Sequence, residues 1–453
     1  DTISENTSAN GVAVDGVTLK DGNVGAAGTA TSVAGIPFYS ADNSIYTHDV
    51  SGTDSTASFN TAYGLTAMDA ITTGDRNTAI GYGAGGALTV ATDCVFVGRQ
   101  AGVATTEGTN STFVGSDAGG AVTTGLRNTM IGAAGWQFDT ESDNMGIGHN
   151  ALAGAVAGGE YNVAIGNYAL DALTSADNNT AVGYNAGTGL TSGNGGNVFM
   201  GTEAGAAITT AHHQVIIGNN AASTGVGTNR GLVAIGRSAG NDKTSGDNCI
   251  FIGLDAGSNV TSGADSIFIG ATAGDGHDTE GNNLGIGRSA LGGSINGGEY
   301  NVAIGNTSLD ALTSGDNNTA IGHAAFSSLT SSSENLAVGY QAGLSTTTGD
   351  YITFVGPNAG YSNTTGSNNT ALGRFAYGSA DTEGNNTAIG VNALGGPGGG
   401  GEYNIAIGNY SLDALTSADF TVAVGYNAGT ALTTGLGNVL VGYEAGKSLV
   451  AGT

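Results

Sequence analysis

Glycine returns along this chain at an almost fixed interval. The stretches "RNTAIGYGAG" (76–85), "NNTAVGYNAG" (178–187), "NNTAIGHAAF" (317–326) and "NNTAIGVNAL" (385–394) share one pattern, and looser copies fill the space between them. Aligned on the glycine of each "NTAIG"-like segment, the chain carries 23 anchors from Gly64 to Gly442, among them Gly81, Gly98, Gly115, Gly183, Gly322, Gly390 and Gly425. Sixteen of the 22 intervals are 17 residues, five are 18 and one is 16. A period this short and this regular is the signature of stacked structural units, each too small to bury its own apolar face.

The positions within one period have separate roles. The residue before the anchor is apolar in every copy, as in Ile80, Val97, Val182, Ile304 and Ile389. Three before the anchor stands Thr or an aliphatic residue, such as Thr78, Val95 or Ile405. The residue between them is mostly Ala or Phe (Ala79, Ala181, Phe96, Phe251) and points to the opposite side of a strand. Both faces are therefore apolar, which predicts a strand covered on both sides. Asn lies four before the anchor in 15 of 23 copies. After the anchor come two variable positions, then Ala in 20 of 23 copies, then Gly or a larger apolar residue, with a further apolar position seven after the anchor. The period closes on "TTG", "TSG" or "TSAD", which are turn residues. Strand, turn, weaker strand, turn is one coil of a parallel β-solenoid or β-roll. Twenty-three coils at strand spacing predict a rod on the order of 110 Å long.

Composition agrees. Gly accounts for 83 of 453 residues and Pro for 3, which disfavours helix, and the glycines lack the every-third-residue period of collagen. Charged residues are only 10% and hydrophobics 39%, a balance that suits a folded chain. The net charge of −27 argues against phosphate-neutralising nucleic-acid binding and against anionic membranes. No apolar run reaches the length of a spanning helix, so no membrane insertion is expected. The expected organisation is an irregular β leader over 1–55 and a solenoid shaft over 56–453.

A 17-residue coil has a thin interior, which Ala and Gly can fill. One face of its main strand covers that interior, and the other needs a second surface. More than twenty such strands left bare would exceed the few hundred Å² of apolar patch usual on a monomer. Self-association in closed cyclic symmetry removes the patch.

With its 17-residue spacing, "NTAIGYGAG" resembles the head repeats of trimeric autotransporter adhesins, and more closely the "NTAxGYNAL" arrays of phage tail-fibre proteins. The likeness covers roughly residues 56–450, and "SANGVAVDGVTLKDGNV" (8–24) is similar to leader segments ahead of such arrays. It implies a left-handed parallel β-roll, a homotrimer with inner strands around a three-fold axis, and an extracellular place on a virion or cell surface. It also implies a host-surface glycan or protein as partner. The chain departs from both families in showing no membrane anchor, no coiled-coil stalk and no C-terminal self-cleaving chaperone.

Three blocks share more than the short period: 139–187, 278–326 and 381–429. Each carries a Glu-Tyr pair: Glu160–Tyr161, Glu299–Tyr300 and Glu402–Tyr403. Segmental duplication accounts for the pairs without a ligand; three equivalent glycan or ion contacts are the sharper alternative. Tyr82, Tyr184, Tyr340, Tyr426 and Tyr443 directly follow anchors and are candidate exposed contacts.

Catalytic chemistry finds little footing. The six histidines are scattered without metal-ligand spacing, and carboxylates form no distinctive pair. Cys94 and Cys249 both stand four before an anchor, nine coils apart, and are expected as buried free thiols. The Asp-Asn turns ("TSADNN", "TSGDNN") are explained by turn chemistry, with calcium as the alternative; the calcium β-roll nonapeptide is absent. The expectation is a non-enzymatic structural and adhesive fibre without an obligatory cofactor. The shaft of a phage tail fibre leads, and an autotransporter head is the alternative. A tailspike depolymerase would need a carboxylate cluster. An ice-binding solenoid would need an unbroken Thr array, whereas Thr fills the position three before the anchor in only 9 of 23 copies.

Overall fold

In the computed structural model, the main strand falls on the three residues before each anchor, as in Thr78–Ile80, Val95–Val97 and Ile250–Ile252. The structure describes residues 44–47, 55–133, 139–154, 158–225, 230–294, 296–396 and 401–451, and the strand backbones Val12–Val14, Val17–Leu19, Thr31–Val33 and Ile36–Ala41. Among the described residues every regular element is a strand and none is a helix. The chain divides into two compact units, Asp1–His213 and Gln214–Thr453.

In the first unit, strands from Thr61–Tyr63 to Val198–Met200 stack parallel, one per repeat. Register is strict: Thr78 faces Val95, Ala79 faces Phe96 and Ile80 faces Val97. Parallel stacking begins ahead of residue 56, because Ser44–Tyr46 already lies parallel on Thr61–Tyr63. Before it, Thr31–Val33, Ile36–Ala41 and Ser44–Tyr46 pair antiparallel in succession, and Val12–Val14 pairs antiparallel with Val17–Leu19. The second unit stacks the same way from Val215–Ile217 to Val439–Val441. The fold is an all-β parallel solenoid of about 22 turns at 17-residue spacing.

The anchor must be glycine for two reasons. Its φ is near +140°, a region that side chains do not tolerate, as at Gly253. A Cβ at Gly253 would also stand 2.4 Å from the carbonyl oxygen of Gly270, the next anchor. Backbone therefore passes over backbone at every rung, and the ladder continues through the anchor: Gly98 N donates to Ile80 O at 2.8 Å.

The weaker second strand expected after the anchor is, in most coils, a run of turns. Residues two and four after the anchor are left-handed, as at Asn185 (φ 54°) and Gly187 (φ 61°). Each closes a four-residue turn with its third residue at positive φ, so Ala84 N donates to Gly81 O at 3.3 Å and Gly86 N to Gly83 O at 3.1 Å. A strand cannot carry two left-handed residues in three. Only Ser192–Gly195 and Thr210–His212 form a second short parallel pair among the described residues.

The interior is set by the middle strand residue, which is buried in nearly every rung, and by a volume exchange with the residue four after the anchor. Each Phe in the middle of a strand has Gly there: Phe96 with Gly102, Phe113 with Gly119, Phe199 with Gly205, Phe251 with Gly257, Phe268 with Gly274 and Phe354 with Gly360. A Cβ on Gly257 would meet the Phe251 ring at 2.7 Å. Several Ala strands take a large residue instead: Ala164 with Leu170, Ala303 with Leu309, Ala320 with Phe326. One void is filled from either side, as close packing requires.

Polar satisfaction comes from the Asn four before the anchor. Asn301 Oδ1 accepts from the backbone N of Asn318 (2.9 Å), and Asn318 Oδ1 from that of Asn335 (3.1 Å). The amide of Asn318 crosses the coil to Ser332 O at 2.7 Å. The same links run from Asn144 to Asn162 and from Asn386 to Asn404. On the turn side, Thr hydroxyls form a second ladder, with Thr89 donating to Thr106 O and Thr347 to Thr364 O.

Candidate functional surface

The two apolar faces of the main strand have different fates. The middle residues point into the coil. The residues one and three before the anchor point out, and none of them is buried by the chain itself. Ile80 is 41% exposed, and Val97, Val182, Ile304 and Ile389 are half-buried. These five, expected as strand core, line the outside of their own coil. Strand stacking turns them into one continuous aliphatic stripe on each unit. In the second unit it is widest where the outer pair is aliphatic on successive rungs, as in Val233/Ile235, Ile250/Ile252, Ile267/Ile269 and Leu284/Ile286.

Tyr82, Tyr184, Tyr340, Tyr426 and Tyr443 are all exposed, between 46% and 74%. Several are already engaged with neighbouring rungs. Tyr184 meets Tyr168 edge-on at 6.1 Å, Tyr340 stacks on His323 at 5.5 Å, and Tyr426 lies between Tyr410 (6.2 Å) and Tyr443 (5.7 Å).

The three Glu-Tyr pairs are structurally equivalent. Glu160 N, Glu299 N and Glu402 N donate to the carboxylates of Asp177, Asp316 and Asp419 in the next rung, at 2.9, 2.8 and 2.9 Å. These are the aspartates of the "TSAD" and "TSGD" turns, so one oxygen of each is spent on a backbone N–H. Tyr161, Tyr300 and Tyr403 are exposed and left-handed, with φ of 60°, 58° and 58°. The loop that takes up the additional residue in each block lies partly outside the described residues.

Sequence reasoning missed the "DTE" that opens each block. Glu280 is buried and folds back, so that its carboxylate accepts from Asp278 N, Thr279 N and, across the rung, Gly297 N at 2.8 Å. Burial alone would raise its pKa, but those hydrogen bonds outweigh it and hold the carboxyl below its usual range. Glu141 makes the matching contacts to Asp139 N and Gly158 N. The signal was present in the sequence as a "DTE" repeated with the blocks.

Other titratable groups sit inside the coil. Cys94 and Cys249 are buried and free, and each donates to the carbonyl fourteen residues on, Gly108 O at 3.0 Å and Gly263 O at 3.3 Å. The asparagines reach that same carbonyl elsewhere, so the thiols stand in for amides. Burial pushes Cys94 up to about 11, far from a reactive thiolate. Two coils place a basic side chain seven after the anchor, where the others favour aliphatics. Lys243 is fully buried with its ammonium on Gly263 O, and burial lowers its pKa while Cys249 opposes the fall. His277 is fully buried against the Phe268 ring at 4.8 Å, and neither ring nitrogen has a hydrogen-bond partner. Burial drives His277 down to about 4.

Among the described residues, no group of three or more His, Cys, Asp or Glu could hold a metal ion. They contain no helix long and apolar enough to cross a membrane. Exposed cations pair along the axis, Arg76 with Asp93 at 2.7 Å and Arg127 with Asp143 at 2.6 Å. Comparison with protein families and with curated proteins finds no match to this chain.

Proposed function

We propose that the chain is a structural and adhesive fibre: the left-handed, homotrimeric shaft of a phage tail fibre or similar extracellular appendage that displays a host-recognition end. The observation that carries this reading is the outward aliphatic stripe. Within one coil most polar groups are served by the Asn and Thr ladders and by main-chain bonds, while the residue before each anchor stays at least partly exposed. A monomer would expose that stripe to water over many rungs, at a cost of about 25 cal/mol per Å². Packing stripe on stripe around a closed axis removes the cost and stiffens the shaft. The choice of three chains rests on the likeness to trimeric fibre repeats. The function is then mechanical, since stacked rungs hold a recognition surface at a set distance. Native mass measurement of the purified chain tests this. A trimer is expected, and a stable monomer overturns the proposal.

A further inference from the structure

We propose that the row of residues five before each anchor is a glycan-binding track. Its platforms are the ring of Tyr161 in the first unit and those of Tyr300, Tyr351 and Tyr403 in the second, and its ligand is a neutral, hydroxyl-rich polysaccharide laid along the stacking direction within a unit. The inference deepens the host-recognition reading above and rests on it for its biological sense.

The first observation is conformational. This position is left-handed in rung after rung, and its usual occupants suit that conformation: Asn178, Asn282, Asn317, Asn368 and Asn385, or Gly231 and Gly437. A bulky aromatic there is strained. Yet Tyr161, Tyr300, Tyr351 and Tyr403 occupy it at φ between 58° and 60°. Burial does not compensate, because the four are 50–61% exposed. Nor does packing: Tyr161, Tyr300 and Tyr351 stack on no other ring among the described residues, and Tyr403 meets only Phe420, itself exposed in the same row. Strained, exposed and uncompensated side chains mark sites kept for something outside the chain.

The second observation is what flanks the rings. Asn282 and Asn317 stand one rung to either side of Tyr300, Asp143 and Asn178 beside Tyr161, Glu334 and Asn368 beside Tyr351, and Asn385 beside Tyr403. The flanking asparagines are exposed, and among the described residues no side-chain hydrogen bond engages Asn178, Asn282, Asn317, Asn368 or Asn385. Rungs are about 4.8 Å apart, comparable to the length of one pyranose ring. A sugar lying on a tyrosine face therefore presents its hydroxyls to a free amide one rung away, on both sides at Tyr300 and on one side at Tyr161, Tyr351 and Tyr403. The aliphatic C–H face of a pyranose suits the electron-rich face of the ring. The net charge of −27, with the Glu334 carboxylate one rung from Tyr351 and the row's Arg76 and Arg127 already paired with Asp93 and Asp143, selects against anionic polysaccharides. In the second unit Tyr300, Tyr351 and Tyr403 recur three rungs apart, which gives one long chain several footholds there.

The test uses the full chain and its Y161N/Y300N/Y351N/Y403N variant on immobilised mannan, galactan, dextran and amylose, with hyaluronan and polysialic acid as acidic controls. Wild type should be retained on at least one neutral polysaccharide and on neither acidic one. The variant should lose that retention while keeping the wild-type native mass and a melting temperature at least as high, since Asn suits the left-handed backbone better. Three results overturn the proposal: no retention of wild type on any neutral polysaccharide, equal retention of the variant, or a variant whose assembled mass collapses, which would assign the rings to a seam between copies. A wild-type monomer that still binds a neutral polysaccharide through these tyrosines would overturn the trimeric shaft and leave the track standing.

Discussion

At the scale of single residues, the informative positions are those where the period breaks its own rule. His277 sits where about half of the coils carry Leu, Ile or Val, with its nitrogens unpaired in an apolar interior. Its folded pKa of about 4 lies below the ordinary value of 6.5, so the unfolded chain takes up the proton first as pH falls. Its effect on stability is therefore flat above pH 6.5 and falls between 6.5 and 4, by about 2 kcal/mol at pH 5. His277→Leu should remove this limb, so that urea midpoints of variant and wild type diverge on going from pH 7 to pH 5. The asparagine ladder gives a graded test. Asn318→Ala strips the partner from Asn335 N and from Ser332 O, both inside the coil, at about 1–3 kcal/mol for each orphaned group. Asn318→Ser should cost less, because Ser266 already serves Asn283 N at this position. Equal melting temperatures for the two variants would refute the ladder's role. The sequence displayed Asn four before the anchor plainly, but not its purpose. That depends on which way the side chain points, and the left-handed residue just before it decides this.

At the scale of the coil, the strand and its glycine were legible because steric exclusion acts locally: only Gly accepts φ near +140° under a neighbouring carbonyl. The second side was not. Its Ala, Leu and Thr residues suggest a weak strand, and only the left-handed backbone at positions such as Leu170 (φ 50°) and Tyr168 (φ 61°) makes it a series of turns. The Phe–Gly exchange was also written in the sequence, as Phe251 with Gly257 against Ala303 with Leu309. It becomes readable once both positions are known to face one void. Phe251→Ala alone should destabilise by about 3–5 kcal/mol through the cavity it leaves. Gly257→Leu alone should destabilise by overpacking, about 1–3 kcal/mol. The double variant should recover most of the loss, as a thermodynamic cycle would register. Simple additivity would sink the shared-void account.

At the scale of the whole molecule, the sequence announced two apolar faces but could not say which turned inward, since Ala79 and Ile80 are both apolar. Stacking decides it, and the aliphatic stripe follows. Charging that stripe with Ile252→Asp and Ile269→Asp should leave the β-type circular dichroism of the coil in place and abolish assembly, as read by native mass. Assembly that survives both charges would remove the stripe as the interface. The strict register of Ile250–Ile252 on Ile267–Ile269 has one more consequence. Each rung fits the next by the same bonds, so the chain works as a ruler whose graduation is one repeat. Excising residues 254–270 would join Gly253 to Ala271 in phase and remove 17 residues. The shortened protein should fold and melt nearly as before, one graduation of about 4.8 Å shorter. Excising ten residues instead should break the phase and the fold together. Reach, in such a molecule, can be edited by recombination in whole steps while every contact rule stays the same.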